Sequence, residues 1–273
     1  MNIAFRRLHA AALLVFAPVL FAAGNGQKLS YEQTEHYLQT AKIVSIKDLG
    51  IGVTNSQRAK LSDGTLDHDA HVQYIDEAKT VFQGDRGTEM NFRDTWKFNI
   101  AASRLSRILG IDDMIPVSVE RKVSGKSAAI TWWVDDSMME VDRIKKKLEA
   151  PDKDAWNREM YVVRVFDQLI FNTDRTLQNL MIDKDWHIWM IDHTRAFRLY
   201  LTLREKKDLV KCDRALLEKL RTLNVEALKP LKPYVTDGEI KGLLGRRDKI
   251  VKFFDDEVKA KGEAAVMYDR PAR

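Results

Sequence analysis

The stretch 166–197, FDQLIFNTDRTLQNLMIDKDWHIWMIDHTRAF, decides how the chain is read, because it spaces Asp174, Asn179 and Asp192 around the pattern of a β-hairpin. The run D-x-x-x-x-N from Asp174 to Asn179 reads as a loop, with a first hairpin strand over 179–182. Asp183, Lys184 and Asp185 supply turn chemistry, and a return strand over 186–191 brings Asp192 back to the end from which the hairpin started. Three oxygen ligands then converge. Phosphoryl transfer calls for such a set: a carboxylate to orient the acceptor hydroxyl, here Asp174, and oxygen ligands to hold Mg²⁺ on the phosphates, here Asn179 and Asp192. A plainer reading of the same residues makes 183–185 a surface turn, Asp174 a loop cap and Asp192 the cap of a following helix.

The pattern N-x-D-R-x-x-x-x-N over Asn172, Asp174, Arg175 and Asn179, followed by a hairpin and I-D-x-x-x-A-F over 191–197, resembles an atypical kinase superfamily. That superfamily includes the HipA toxin kinases, the secreted Golgi casein kinases, the spore-coat CotH kinases and the type II phosphatidylinositol 4-kinases. The resemblance implies an α+β fold of two lobes, β-rich then mostly helical, with ATP as donor and Mg²⁺ or Mn²⁺ as the metal. Asn172-Thr173-Asp174-Arg175 is similar to the lipid-kinase loop, which keeps a phosphoinositide-like headgroup among the acceptors beside a protein or a small hydroxyl compound.

One departure stands against this pattern. In these families the third strand usually carries a Lys in A-x-F-K that pairs with a Glu on the next helix, in a segment resembling E-V-A-A-Y. This chain has Ala70-His71-Val72-Gln73 and Asn99-Ile100-Ala101-Ala102-Ser103, so both charges are missing together. Gln73 and Asn99 can hydrogen-bond to each other and to phosphate oxygens, yet neither supplies positive charge to a low-dielectric cleft. Lys60 on the preceding strand either reaches in instead or stands as a solvent-facing strand residue; Lys79 and Lys97 are poorer candidates. Gly50 and Gly52 either let backbone amides approach a triphosphate or simply form a turn.

Around this motif the pattern predicts a helix over 31–40, strands over 42–46, 56–61 and 68–75, a long helix over 89–109, and strands over 116–123 and 128–134. A hinge at 132–136 would divide an N-lobe, 25–135, from a C-lobe, 136–273, in which 156–170 is a buried helix. At least three more helices are expected between Cys212 and Gly262.

With 273 residues and 45% hydrophobic content, the chain can bury a substantial core. Residues 1–24 read as a secretory signal peptide: Arg6 and Arg7, an apolar run from Ala10 to Ala23, and Ala22-Ala23-Gly24 before Asn25. The run is short for a membrane span, so no stable span is expected after cleavage, although an uncleaved anchor is the alternative. No cysteine near the cleavage point indicates a lipid anchor. Cleavage removes two arginines and no acidic residue, so the net charge falls from +5 to +3, too little to imply nucleic acid. Cys212 is the sole cysteine, so no internal disulfide can form, which favours a bacterial envelope protein that relies on its core. The resulting expectation is an exported, periplasmic or secreted kinase-like protein that binds nucleotide and an unidentified hydroxyl acceptor. The second class is a non-catalytic nucleotide-binding module, suggested by Gln73, Asn99 and the question of ATP supply outside the cytoplasm.

Overall fold

The computed structural model describes residues 29–50, 56–84 and 87–271, so the expected signal peptide and Gly52 lie outside the described residues. In chain order the main elements are α1 (Tyr31–Thr40), β1 (Lys42–Asp48), β2 (Gln57–Ser62), β3 (Asp67–Gln73), β4 (Asp76–Gly84), β5 (Gly87–Thr95), α2 (Lys97–Leu109), β6 (Ser118–Val123), β7 (Lys126–Trp132) and β8 (Ser137–Met139). They continue with α3 (Glu140–Lys145), α4 (Lys153–Ile170), β9 (Leu180–Asp183), β10 (Ile188–Met190), β11 (Cys212–Asp213), α5 (Arg214–Thr222), α6 (Asp237–Lys261), α7 (Glu263–Val266) and β12 (Met267–Tyr268). The class is mixed α+β, with a β-rich N-terminal region and a helical C-terminal region, as the sequence leads one to expect.

Strands β1-β2-β3-β7-β6 form an antiparallel sheet. Side chains alternate across a strand. Ala59, Leu61, Ala70 and Val72 therefore share the face that packs on Tyr37 and Leu38 of α1. Register pairs Arg58 with His71 and Lys60 with Asp69, so these residues and Gln73 stand on the opposite face. A larger core joins α2, α4 and the C-terminal helices through Phe98, Leu105, Val162, Phe166, Leu216 and Phe254. Each such side chain, fully buried, contributes on the order of 1.5–3 kcal/mol before the entropy of ordering is subtracted.

Two expectations fail. The long helix over 89–109 is a strand, β5, followed by the shorter helix α2. Phe92, Trp96 and Ile100 fall at helical spacing, but residues 87–95 pair with β4, and Phe92 stacks on Phe82 with ring centroids 4.1 Å apart. Cross-strand pairing has overridden a short periodic signal. Between Cys212 and Gly262 the chain forms two α-helices and a 3₁₀ turn over Lys229–Leu231, because α6 runs unbroken for 25 residues. Thr236 and Glu239 begin it with a reciprocal capping box.

Candidate active site

The loop after α4 is shaped by its own polar side chains. Phe171 takes a left-handed conformation at φ 49°, and the Asn172 amide nitrogen then donates to the Asp167 carbonyl at 2.9 Å. Asn172 Oδ1 accepts from the Asp174 backbone N–H at 2.9 Å, a local turn that presents Asp174. Five residues on, Asn179 Nδ2 donates to the Asp174 carbonyl at 2.8 Å. The amide nitrogen is committed to backbone, which leaves Oδ1 as the acceptor. The Asn179 carbonyl accepts from Ile191 N–H at 3.2 Å, so the mouth of the β9–β10 hairpin places Asp192 next to this loop. Asp192 is left-handed at φ 51°, and its Oδ1 accepts from Thr194 Oγ1 at 3.0 Å. No helix follows it. Non-glycine residues in this conformation are uncommon and cluster at functional sites.

Arg175 fastens these pieces together. Its Nε donates to Asp167 Oδ2 at 2.9 Å and Nη2 to Asp167 Oδ1 at 3.1 Å, a bidentate pair. Nη1 donates to the Asn179 carbonyl and, at 2.8 Å, to the Ile191 carbonyl. Nη2 also lies 3.0 Å from His193 Nε2. Burial first, and the Arg175 charge second, hold His193 well below its ordinary pKa. A neutral ring facing a pure donor must present a bare Nε2, so the His193 proton resides on Nδ1.

Gln73 and Asn99 meet as their positions in the sequence suggest: Asn99 Nδ2 donates to Gln73 Oε1 at 2.6 Å, with the residues 1% and 7% exposed. Asn99 Oδ1 accepts from the His193 N–H at 2.7 Å, which links β3 and α2 to the residue beside Asp192. Gln73 Nε2 is buried without a partner. His71, two residues before Gln73 and on the same face of β3, has its pKa lowered by burial, with the negative charge of Asp192 opposing. Lys60 stands apart, half exposed, 3.6 Å from Asp67. Gly50 is left-handed at φ +61°, a conformation that suits glycine after a strand.

The β4–β5 ribbon, absent from the sequence reading, lies against the chain after Asp192. Asp94 Oδ2 accepts from Arg195 Nε at 2.7 Å, Arg93 pairs with the α6 capping residue Glu239 at 2.5 Å, and Glu89 pairs with Arg198. Thr95 N–H donates to the Thr194 carbonyl at 3.0 Å. Sequence reading had Arg175 and Arg195 within the quoted stretch but assigned them no role. For Asp94 no signal existed, since the helical reading of its segment concealed which face it occupies.

A cavity of about 570 Å³ lies at the turn end of the hairpin, lined by Trp156, Trp186 and Trp189 among others, and none of Asp174, Asn179 and Asp192 lines it. Among the described residues no cluster of three or more His, Cys, Asp and Glu side chains forms a metal site. One carboxylate with one amide oxygen nevertheless suits Mg²⁺, which is commonly held by one or two carboxylates plus substrate phosphates and water. No helix among the described residues is long and apolar enough to cross a membrane.

No family model matches the sequence, and no curated protein matches it. Among solved structures, the chain is similar to the crystal structure of a Helicobacter pylori proinflammatory kinase, CtkA. The TM-score is 0.47 at 11% identity, covering 85% of this chain and 99% of that one. A likeness of that extent leaves the weight on the residues themselves.

Proposed function

We propose that the chain is an exported bacterial kinase-like protein that transfers the γ-phosphoryl group of a nucleotide to the hydroxyl of a protein or small molecule. The observation that carries this reading is the hairpin mouth: Asn179 turns its amide nitrogen to the Asp174 carbonyl, and the Asn179–Ile191 bond holds Asp192 alongside. Asp174 orients the acceptor hydroxyl and takes its proton as the acceptor oxygen bonds to phosphorus and the bond to the bridging oxygen of the diphosphate breaks. Asn179 Oδ1 and Asp192 would hold Mg²⁺ or Mn²⁺. When bound, that ion would neutralise phosphate charge and align the transferring group. Gln73 Nε2, a buried donor without a partner, fits a phosphate oxygen. The cleft would lie between the N-lobe and the C-lobe, on either side of a hinge at 132–136, with Gly50 near the phosphates. The test is transfer of radiolabelled γ-phosphate to the protein itself or to an acceptor, present in wild type and lost in Asp174→Ala; equal labelling of both would overturn the assignment.

One observation favours a second reading. The Gln73–Asn99 pair is neutral where the resembling kinases have a Lys–Glu ion pair, which suits a module that binds nucleotide without turnover. Tight nucleotide binding with no transfer across a broad acceptor screen, including phosphoinositide-like headgroups, would select it.

A further inference from the structure

The candidate site lacks a lysine at Gln73, and Lys60 is turned to Asp67, so the charge that meets an anionic ligand must come from elsewhere. Two arginines flank the hairpin mouth. Arg175 has every nitrogen committed, to Asp167, to the carbonyls of Asn179 and Ile191, and to His193. Arg195 differs. Its backbone carbonyl accepts from both the N–H (3.1 Å) and Oγ1 (3.0 Å) of Thr173, which fixes it beside Asp174, and it follows Asp192 by three residues. Its side chain makes one hydrogen bond among the described residues, Nε to Asp94 Oδ2, and lies over the Phe92 ring at 5.7 Å from the centroid. Among the described residues the outer nitrogens, Nη1 and Nη2, have no hydrogen-bond partner, and the side chain is 31% exposed, so a ligand can reach it.

We infer that Arg195 is the phosphate-binding cation of this cleft, held for that purpose by Asp94 on β5. The inference rests on the phosphotransferase reading above and goes beyond it by naming the anion subsite. A monodentate pair through Nε leaves the outer fork of the guanidinium intact, and that fork matches two oxygens of a phosphate. Asp94 is 4% exposed on its side chain, and its Oδ1 is buried with no partner, so the carboxylate is not saturated by Arg195. A buried carboxylate with one arginine is held in place by that charge and fixes the guanidinium in turn. The surroundings agree: burial works against the Arg195 charge, but the hydrogen bond and charge of Asp94, with Asp174 and Asp192 beyond it, raise its pKa above the ordinary value. The ion pair missing between Gln73 and Asn99 is thus replaced by one between Asp94 and Arg195. Asp94 is a positioning residue and touches no ligand.

The test measures affinity of the full-length chain for Mg²⁺-ATP and for Mg²⁺-tripolyphosphate, which probes the anion subsite without adenine. Arg195→Gln is expected to weaken both by roughly 10- to 100-fold, the worth of a charge-assisted contact. Arg195→Lys, which keeps the charge and loses the fork, should fall between and serves if the glutamine variant unfolds. Asp94→Asn should weaken binding in wild type but add nothing in the Arg195→Gln background, a non-additivity that a merely structural role would not produce. If Arg195→Gln and Arg195→Lys bind like wild type while Asp192→Ala abolishes the metal dependence, the subsite assignment falls and the phosphotransferase reading stands. If wild type binds neither probe with Mg²⁺ or Mn²⁺, both fall.

Discussion

Replacing Arg175 by Met should loosen the hairpin mouth and the fold together. Arg175 and Asp167 have side chains only 11% and 12% exposed and form a two-point pair, so removing one partner strands a charge in a poorly solvated place. Breaking such a pair costs about 3–5 kcal/mol. Asn172 Nδ2 still donates to Asp167 Oδ1 at 3.1 Å, which puts the expectation near the lower end, about 3 kcal/mol. Two carbonyls, of Asn179 and Ile191, lose their side-chain donor in the same substitution. Urea unfolding followed by fluorescence of the six tryptophans measures the loss. A double-mutant cycle with Asp167→Asn should show coupling above about 1.5 kcal/mol. Hydrogen exchange at the Ile191 and His193 amides should accelerate more than exchange in α6, since those amides bond to Asn179 and Asn99 at the fastened end. A loss below about 1 kcal/mol, the range of an exposed pair, would refute the claim that this arginine holds the site together.

Installing Gln73→Lys alone buries a charge without a partner and should destabilise by roughly 3 kcal/mol or more, whereas Gln73→Lys with Asn99→Glu should recover stability and raise ATP affinity above either single variant. Additive effects, read by calorimetric titration, would show that the two positions do not act as a pair. Tyr31 and Tyr37 are pushed up from 10.0 to about 12, chiefly by burial, where they bond Ser103 Oγ and the Leu61 carbonyl. Their folded pKa values are raised, so the stability they contribute is complete below pH 10 and lost as the pH rises toward about 12. The urea midpoint of Tyr31→Phe with Tyr37→Phe should therefore fall less steeply across that window than that of wild type; parallel slopes would contradict it. Export predicts a mature chain beginning at Asn25, which intact mass reports directly, and a cytosolic protein retaining Met1 would contradict it.

What could be read in advance follows from how local each feature is. The helix 31–40 appears as expected because Ser30 and Gln33 cap it within one turn. The meeting of Gln73 with Asn99 was legible only through the resemblance, which sets them where the relatives carry a paired Lys and Glu. The β4–β5 ribbon was not, since only the cross-strand pairing of Asp76–Gly84 with Gly87–Thr95 distinguishes it from a helix with the same apolar spacing. Asp94 and Arg195 are 101 residues apart, and no local pattern announces a partner at that distance. Arg175 was visible as a motif residue, but its five-way anchoring depends on carbonyls that converge only once the hairpin closes.

The most direct test of the central claim is the shift in melting temperature produced by ATP with and without Mg²⁺ in wild type, Asp174→Ala, Asn179→Ala and Asp192→Ala. A metal-dependent rise is expected in wild type and in Asp174→Ala, and its loss in Asn179→Ala and Asp192→Ala, since the first residue serves the acceptor and the other two serve the metal. Four proteins that respond alike, or a wild type indifferent to nucleotide and metal, would contradict the account and leave the hairpin a purely structural device.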